Sequence, residues 1–268
     1  MPPDDPVLSQ GDFAAAIVVS DLVKSYGAVE AVKGVSFVVR TGTTTALLGG
    51  NGAGKTTTLS MLLGVLTPSA GRIVVLGEDM PAQRHRVLPR MNFTSPYVDL
   101  PKRLTVAQNL AVFADLYGLK RARERIAEVA DDCDLSGFLN RPYGSLSAGQ
   151  RTRVSLAKAV LNEPEVLLLD EPTASLDPDV GDRMRTYLER YQHRTGCTML
   201  LASHHMGEVE RLCDDVIMLR EGRVVDQGSP QQLLARYGRE NMEEVFLDVA
   251  RGRADDRIPG GAAVETAA

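Results

Sequence analysis

The chain has 268 residues, 44% of them hydrophobic and 24% charged, with a formal net charge of −5. That length can bury a sizeable core, as one domain carrying a subdomain. The acidic balance, without a basic patch or stripe, argues against a nucleic-acid partner, and no run nears the roughly 18 apolar residues that span a bilayer.

The opening residues Met1-Pro2-Pro3-Asp4-Asp5-Pro6 are acidic and proline-rich and lack the basic start and apolar stretch of a signal peptide, so a cytosolic location is expected. Two short β-branched segments follow, Ala16–Val19 and Val35–Val39, and both read as strands. A third strand, Thr43–Leu48, feeds a glycine-rich loop, and Thr57–Leu63 reads as the helix that leaves it. Ser69–Gly77 reads as turn, strand, turn. From about Leu104 to Asn140 the apolar spacing turns helical. The charges around Arg121, Arg123 and Arg125 are expected to form a solvated helix face. Ser147–Leu161 is then a helix, Val166–Leu169 a buried strand, Pro178–Arg194 a helix and Cys197–Ala202 a strand. Such alternation favours a parallel sheet covered by helices. Cys133, Cys197 and Cys213 are scattered and form no C-x-x-C pair, which argues against a zinc site or a disulfide framework. Cys197 reads as a small core residue. The Ala-, Gly- and Asp-rich tail after Gly252 is expected to be disordered.

The loop carries the chemistry. Gly49, Gly50, Asn51, Gly52, Ala53, Gly54, Lys55 and Thr56 fit G-x-x-x-x-G-K-[ST], a phosphate-binding loop. Glycines let successive N–H groups turn toward one anion. A helix starting at about Lys55 aims its positive end the same way. Lys55 would reach the β- and γ-phosphates of a nucleoside triphosphate, and Thr56 would hold Mg²⁺. Asp170 and Glu171 end a buried strand at the carboxyl edge of the sheet, where ligands bind in such folds. Asp170 would hold the same Mg²⁺, and Glu171 would orient and deprotonate the attacking water.

Leu146-Ser147-Ala148-Gly149-Gln150, followed by Asp170-Glu171-Pro172-Thr173, resembles the nucleotide-binding domains of ABC (ATP-binding cassette) proteins. Arg153, Leu156 and Ala157 match the helix after that signature, and the resemblance runs from about Ile17 to Leu234. It implies an α/β fold: a P-loop NTPase core with a mainly parallel sheet and flanking helices, an N-terminal antiparallel β-subdomain and an inserted α-helical subdomain. The limits expected are a flexible N-terminus over 1–14, the nucleotide-binding domain over 15–238 with its helical subdomain at about 96–160, a C-terminal helix over 239–252 and a disordered tail over 253–268.

The resemblance also implies roles. Thr57 joins the loop residues that hold ATP and Mg²⁺. Ser147, Gly149 and Gln150 would contact the γ-phosphate held by another subunit, so a second nucleotide-binding subunit is needed, as a homodimer. Read by itself, Ser147 is an ordinary helix N-cap, and the two readings are compatible. Asp177, in Ser175-Leu176-Asp177, would link the two sites across that dimer. His204 would contact the γ-phosphate, with His205 the competitor by position. Tyr26 would stack on the adenine, against the plainer reading of a tyrosine packed at a strand end. The family has a glutamine before the helical subdomain. Here Met91–Val98 holds none, and Ser95 or Pro96 falls at its place. A serine is a shorter oxygen donor, and would reach the metal through a water. Gly50 and Ala148 are smaller departures, standing for a proline and a glycine.

The function implied is the ATP-hydrolysing subunit of an ABC transporter, peripheral on the cytoplasmic side of the inner membrane, with separate membrane-spanning permease subunits. Asn241–Leu247 resembles the ending of the exporter ATPases, which favours export. Read by its spacing alone, that segment is an amphipathic helix with Met242, Val245 and Phe246 on one face. The alternatives are a non-transport ABC ATPase acting on ribosomes or DNA, and a nucleotide-gated module that hydrolyses weakly.

Overall fold

A computed structural model describes residues 14–252, so the expectations for the two ends of the chain lie outside the described residues. The chain opens with two long strands, β1 (Ala15–Tyr26) and β2 (Val29–Arg40), then β3 (Thr44–Gly49) and helix α1 (Lys55–Leu62). Next come β4 (Ala70–Val75), β5 (Glu78–Met80), the short α2 (Arg84–Val87) and β6 (Met91–Thr94). Three helices follow, α3 (Val106–Leu116), α4 (Ala122–Asp132) and α5 (Ala148–Val160). The core then resumes with β7 (Val166–Asp170), α6 (Pro178–Thr195), β8 (Thr198–Ala202) and α7 (Met206–Leu212). A hairpin of β9 (Asp215–Arg220) and β10 (Arg223–Gly228) leads to α8 (Pro230–Tyr237) and α9 (Met242–Ala250).

Two sheets result. The antiparallel sheet has the order β2-β1-β4-β5, and the six-stranded sheet the order β10-β9-β3-β8-β7-β6, parallel except for β10. The central parallel strands are apolar on both faces because both faces are covered. Leu47 and Leu168 pack with Ile17, Phe37, Ile73 and Leu62, on the side of the antiparallel sheet and α1. Their neighbours Leu48, Leu167 and Leu169 point the other way, into a cluster with Leu110, Leu156, Leu188 and Tyr191. The period-2 alternation of a strand thus serves two cores at once.

Helix starts follow the local chemistry. Thr105, Ser147 and Ser229 each head an S/T-x-x-Q capping box, closed by Gln108, Gln150 and Gln232. At its other end α6 stops at Gly196, whose φ of 67° is left-handed. Helix α9 buries Met242, Val245 and Val249, with Phe246 packed beside them, as its spacing suggests.

The first two strands are longer than the sequence reading had them, β5, α7, β9 and β10 were not read there, and two further differences have a clear physical cause. Met91–Thr94 is a strand, paired in parallel with β7 from Met91↔Val166 to Thr94↔Leu169. Its buried Asn92 and Thr94 hide the apolar signal, and both are held by hydrogen bonds. Asn92 Nδ2 donates to Tyr117 Oη at 3.0 Å and to Asn162 Oδ1 at 2.8 Å, and Thr94 Oγ1 lies 2.7 Å from Ser155 Oγ. The second difference is a correction: Arg125 does not belong to a solvated face. Its side chain is only 10% exposed, and it donates to the carbonyls of Val160 at 2.8 Å and Leu161 at 3.2 Å. It thereby satisfies orphan carbonyls at the C-terminal end of α5.

Candidate active site

The carboxyl ends of β3, β7 and β8 deliver the site. After β3, the glycine-rich loop folds tightly: Ala53 N donates to Gly50 O at 3.1 Å, and Thr58 N to Gly54 O at 2.9 Å. Two positions exclude any side chain. A Cβ on Gly49 would sit 2.6 Å from the Leu219 carbonyl. Gly54 has φ of +102°, and its Cβ would meet the Ala31 carbonyl at 2.8 Å. The loop therefore lies directly against β9 and β2, with Gly222 N bonded to Ala53 O at 3.2 Å. Asn51, Gly52 and Thr56 are exposed and Thr57 is half-buried. Helix α1 has no acidic residue in its first turn, so its positive end is not neutralised from within.

Lys55 folds back over this loop. Its Nζ donates to Gly49 O at 2.6 Å and Gly50 O at 3.3 Å. Burial lowers its pKa below the ordinary lysine value, and the charges of Glu171 and Asp170 pull it back up. Those carboxylates end β7, two strands from β3 in the sheet. Asp170 is buried, and burial raises its carboxyl above the usual range. The Ser95 hydroxyl opposes that shift by donating to Asp170 Oδ2 at 3.1 Å.

Glu171 adopts φ of 50°, a left-handed backbone that costs a non-glycine residue roughly 1–3 kcal/mol. Its N–H is tied to Ala202 O at 2.8 Å, at the end of β8. Two residues on, His204 Nδ1 lies 2.6 Å from Glu171 Oε1. The structure thus brings His204, and not His205, onto the carboxylate; His205 stands at the N-cap position of α7, with no side-chain capping bond.

Of the remaining expected residues, Ser147 heads α5 and Gly149 abuts the turn after β7. A Cβ on Gly149 would lie 3.0 Å from Ser175 O, so the start of α5 and that turn are in close contact. Ser147 Oγ accepts from Gln150 N at 3.3 Å, and Gln150 Oε1 accepts from Ser147 N at 3.0 Å. The box uses a lone pair of the serine and leaves its proton to donate. Asp177 is exposed at the start of α6. Tyr26 is half-exposed at the end of β1, with Lys24 Nζ 5.3 Å from its ring centre.

Thr56, Asp170 and Ser95 offer a hydroxyl, a carboxylate and a hydroxyl, an all-oxygen set that suits a hard divalent cation. A buried carboxylate with a raised pKa is also one whose negative charge lacks full compensation. The residues present therefore fit Mg²⁺.

The sheet order, the glycine loop entering α1 and the paired carboxylates two strands away at the end of β7 define a nucleoside-triphosphate-binding P-loop protein. The ABC transporter family model matches residues 32–174, and the chain belongs to that family. It is 38% identical over 244 residues to the Nod factor export ATP-binding protein I of Ralstonia nicotianae, covering 89% of this chain and 72% of that protein. The protein of the same name from Burkholderia orbicola is 39% identical, over 82% and 73%. Among solved structures, an ATP-binding subunit of an ABC transporter superposes with a TM-score of 0.81 at 27% identity, covering 87% of this chain and 99% of that one. CbiO1 from Clostridium perfringens, part of the ABC transporter complex cbiONQ, gives 0.73 at 30% identity, over 91% and 99%. The chain is therefore an ATP-binding subunit of a transporter and an ATPase.

Proposed function

We infer that this subunit powers export through separate membrane-spanning permease subunits, bound peripherally at the cytoplasmic face of the inner membrane. The name of the relatives supports the direction. Residues 15–238 form the nucleotide-binding domain, with a helical subdomain at about 96–160, and 239–252 form a C-terminal helix. The observation that carries the site is the 2.6 Å contact of His204 with Glu171, beside the Ser95–Asp170 bond. The Gly49–Thr57 loop cradles the phosphates, Lys55 neutralises them, and Tyr26 stacks on the base. Thr56 and Asp170 hold Mg²⁺, with Ser95 aligning Asp170 where relatives of this fold use a glutamine. Bound there, Mg²⁺ neutralises charge developing on the phosphate oxygens. Glu171 takes the proton of the attacking water, and His204 fixes that carboxylate while facing the γ-phosphate. Ser147, Gly149 and Gln150 complete the site of a second copy, and Asp177 links the two.

The test is affinity purification of the tagged chain from detergent-solubilised native membranes with ATP present, followed by mass spectrometry. A stoichiometric multi-span protein is the expected companion. Ribosomal or DNA-repair proteins in its place would overturn the transporter partnership.

A further inference from the structure

Glu208 has no role in the site described above, yet it is 1% exposed in the first turn of α7. Burying a carboxylate costs several kcal/mol unless donors meet its oxygens. Here both are met, and by residues of two different loops. Oε2 accepts from Ser203 Oγ at 2.7 Å, and Oε1 accepts from Thr173 Oγ1. Arg185 of α6 places Nη1 3.8 Å from Oε1. Ser203 and Thr173 flank the reacting pair. Ser203 immediately precedes His204, and its Oγ also accepts from His205 N at 3.0 Å, so the histidine's backbone is bracketed on both sides. Thr173 follows Glu171 by two residues, and its carbonyl accepts from Leu176 N at 3.0 Å, in the turn leading to Asp177. The loops of Glu171 and His204 thus meet at a backbone bond, at the His204–Glu171 contact and at Glu208. Of these ties, the first holds one point of each loop, and the second is the contact that must be aligned.

We propose that Glu208 is a positioning residue for ATP hydrolysis, clamping the Thr173 turn to Ser203 so that His204 and Glu171 stay in register. The clamp rests on the catalytic reading of Glu171 and His204. Its bonds run to the loops of Glu171 and His204 and not to the Gly49–Thr57 loop, so its loss should misalign the reacting groups and leave nucleotide binding intact. A shift of about 1 Å at such a pair can cost roughly 10²-fold in rate.

The experiment compares kcat, KM for ATP and Tm of the full chain with those of Glu208→Ala, Glu208→Gln, Ser203→Ala and Thr173→Val. In Glu208→Ala, kcat should fall roughly 10²-fold while KM moves less than about 2-fold. Glu208→Gln can still accept from one hydroxyl and donate to the other, and should return kcat to within roughly 5-fold of the parent. The proposal is overturned if Glu208→Ala keeps kcat within twofold, or if KM and kcat fail together with Tm and glutamine restores neither. Should Glu208→Ala not fold, the two single-tether variants decide: loss of kcat at unchanged KM in either supports the clamp, and unchanged kcat in both overturns it. Glu171→Gln is run alongside. Unchanged turnover there removes the underlying reading as well, whereas a dead Glu171→Gln beside an active Glu208→Ala removes the clamp alone.

Discussion

At the scale of single residues, charge in a low-dielectric setting decides the behaviour. Replacing Glu171 by glutamine keeps its size and its contact with His204 but removes the base. ATP affinity should be retained and turnover should fall at least ~10²-fold, read by equilibrium binding and single-turnover hydrolysis. Unchanged turnover would remove Glu171 from that role. Lys158 shows the same physics away from the site. It is buried on α5, its Nζ donates to Asn92 Oδ1 at 3.0 Å and Phe93 O at 2.8 Å, and burial lowers its pKa from 10.5 to about 8. The folded value is below the unfolded one, so the unfolded chain holds a proton that the native chain has lost between pH 8 and 10.5. Stability from this group therefore rises with pH across that window, and the penalty is constant below it. Lys158→Met lacks this dependence. Denaturation series at pH 7.5 and 10 should show the parent gaining on the variant, by up to about 1.4 kcal/mol per pH unit within the window. A pH-independent difference would show that Lys158 titrates normally.

At the scale of elements, α5 is the piece that joins the helical segment to the sheet, and its two ends are capped differently. Its start is local in sequence: Ser147 was legible there as an N-cap, and Gln150, three residues on, closes its box in the structure. Its end is not, because Arg125 reaches it from α4, and a donor 35 residues away leaves no local pattern. The charged run containing Arg125 looks like a solvated face for the same reason. Likewise β6 carries Asn92 and Thr94 where a buried strand is expected to be apolar, and only tertiary partners make those residues affordable. By contrast β3, β7 and β8, apolar on both faces, and the phosphate loop between β3 and α1 were readable directly, whereas the choice of His204 over His205 came from the resemblance and stays part of the proposed site. The Ser95–Asp170 bond was half legible: the missing glutamine could be seen, but the reach of its substitute depended on the strand that precedes it. Arg125→Ala should test the long-range cap. Losing two charge-assisted bonds to buried carbonyls should cost about 2 kcal/mol and lower Tm by roughly 4–8 °C, with the ATP affinity of the phosphate loop unchanged. A Tm within about 1 °C of the parent would mean that water replaces the guanidinium at no cost.

At the scale of the molecule, one chain supplies one phosphate loop and one Ser147-headed helix. The loop is seated on β9 and β2, whereas the start of α5 is seated on the turn after β7. The serine proton left over by the capping box and the positive start of α5 form an anion-binding end whose ligand, on the proposed reading, is the γ-phosphate carried by a second copy. Closure is then a linkage problem: each bound nucleotide supplies contacts that exist only in the dimer, so ATP favours association, and hydrolysis removes those contacts. Glu171→Gln separates the two steps, because it permits closure and blocks the reaction that reopens it. Light scattering on this variant with Mg²⁺ and ATP should give a mass of twice 29.0 kDa. Adding EDTA should return the mass to that of one chain, since Thr56 and Asp170 would lose the ion that lets them hold the phosphates. Ser147→Ala in the same background should also give a single-chain mass, while keeping one nucleotide per chain. A monomer under Mg²⁺ and ATP with Ser147 intact would mean that ATP does not bring the start of α5 onto a second copy, and would overturn that assignment.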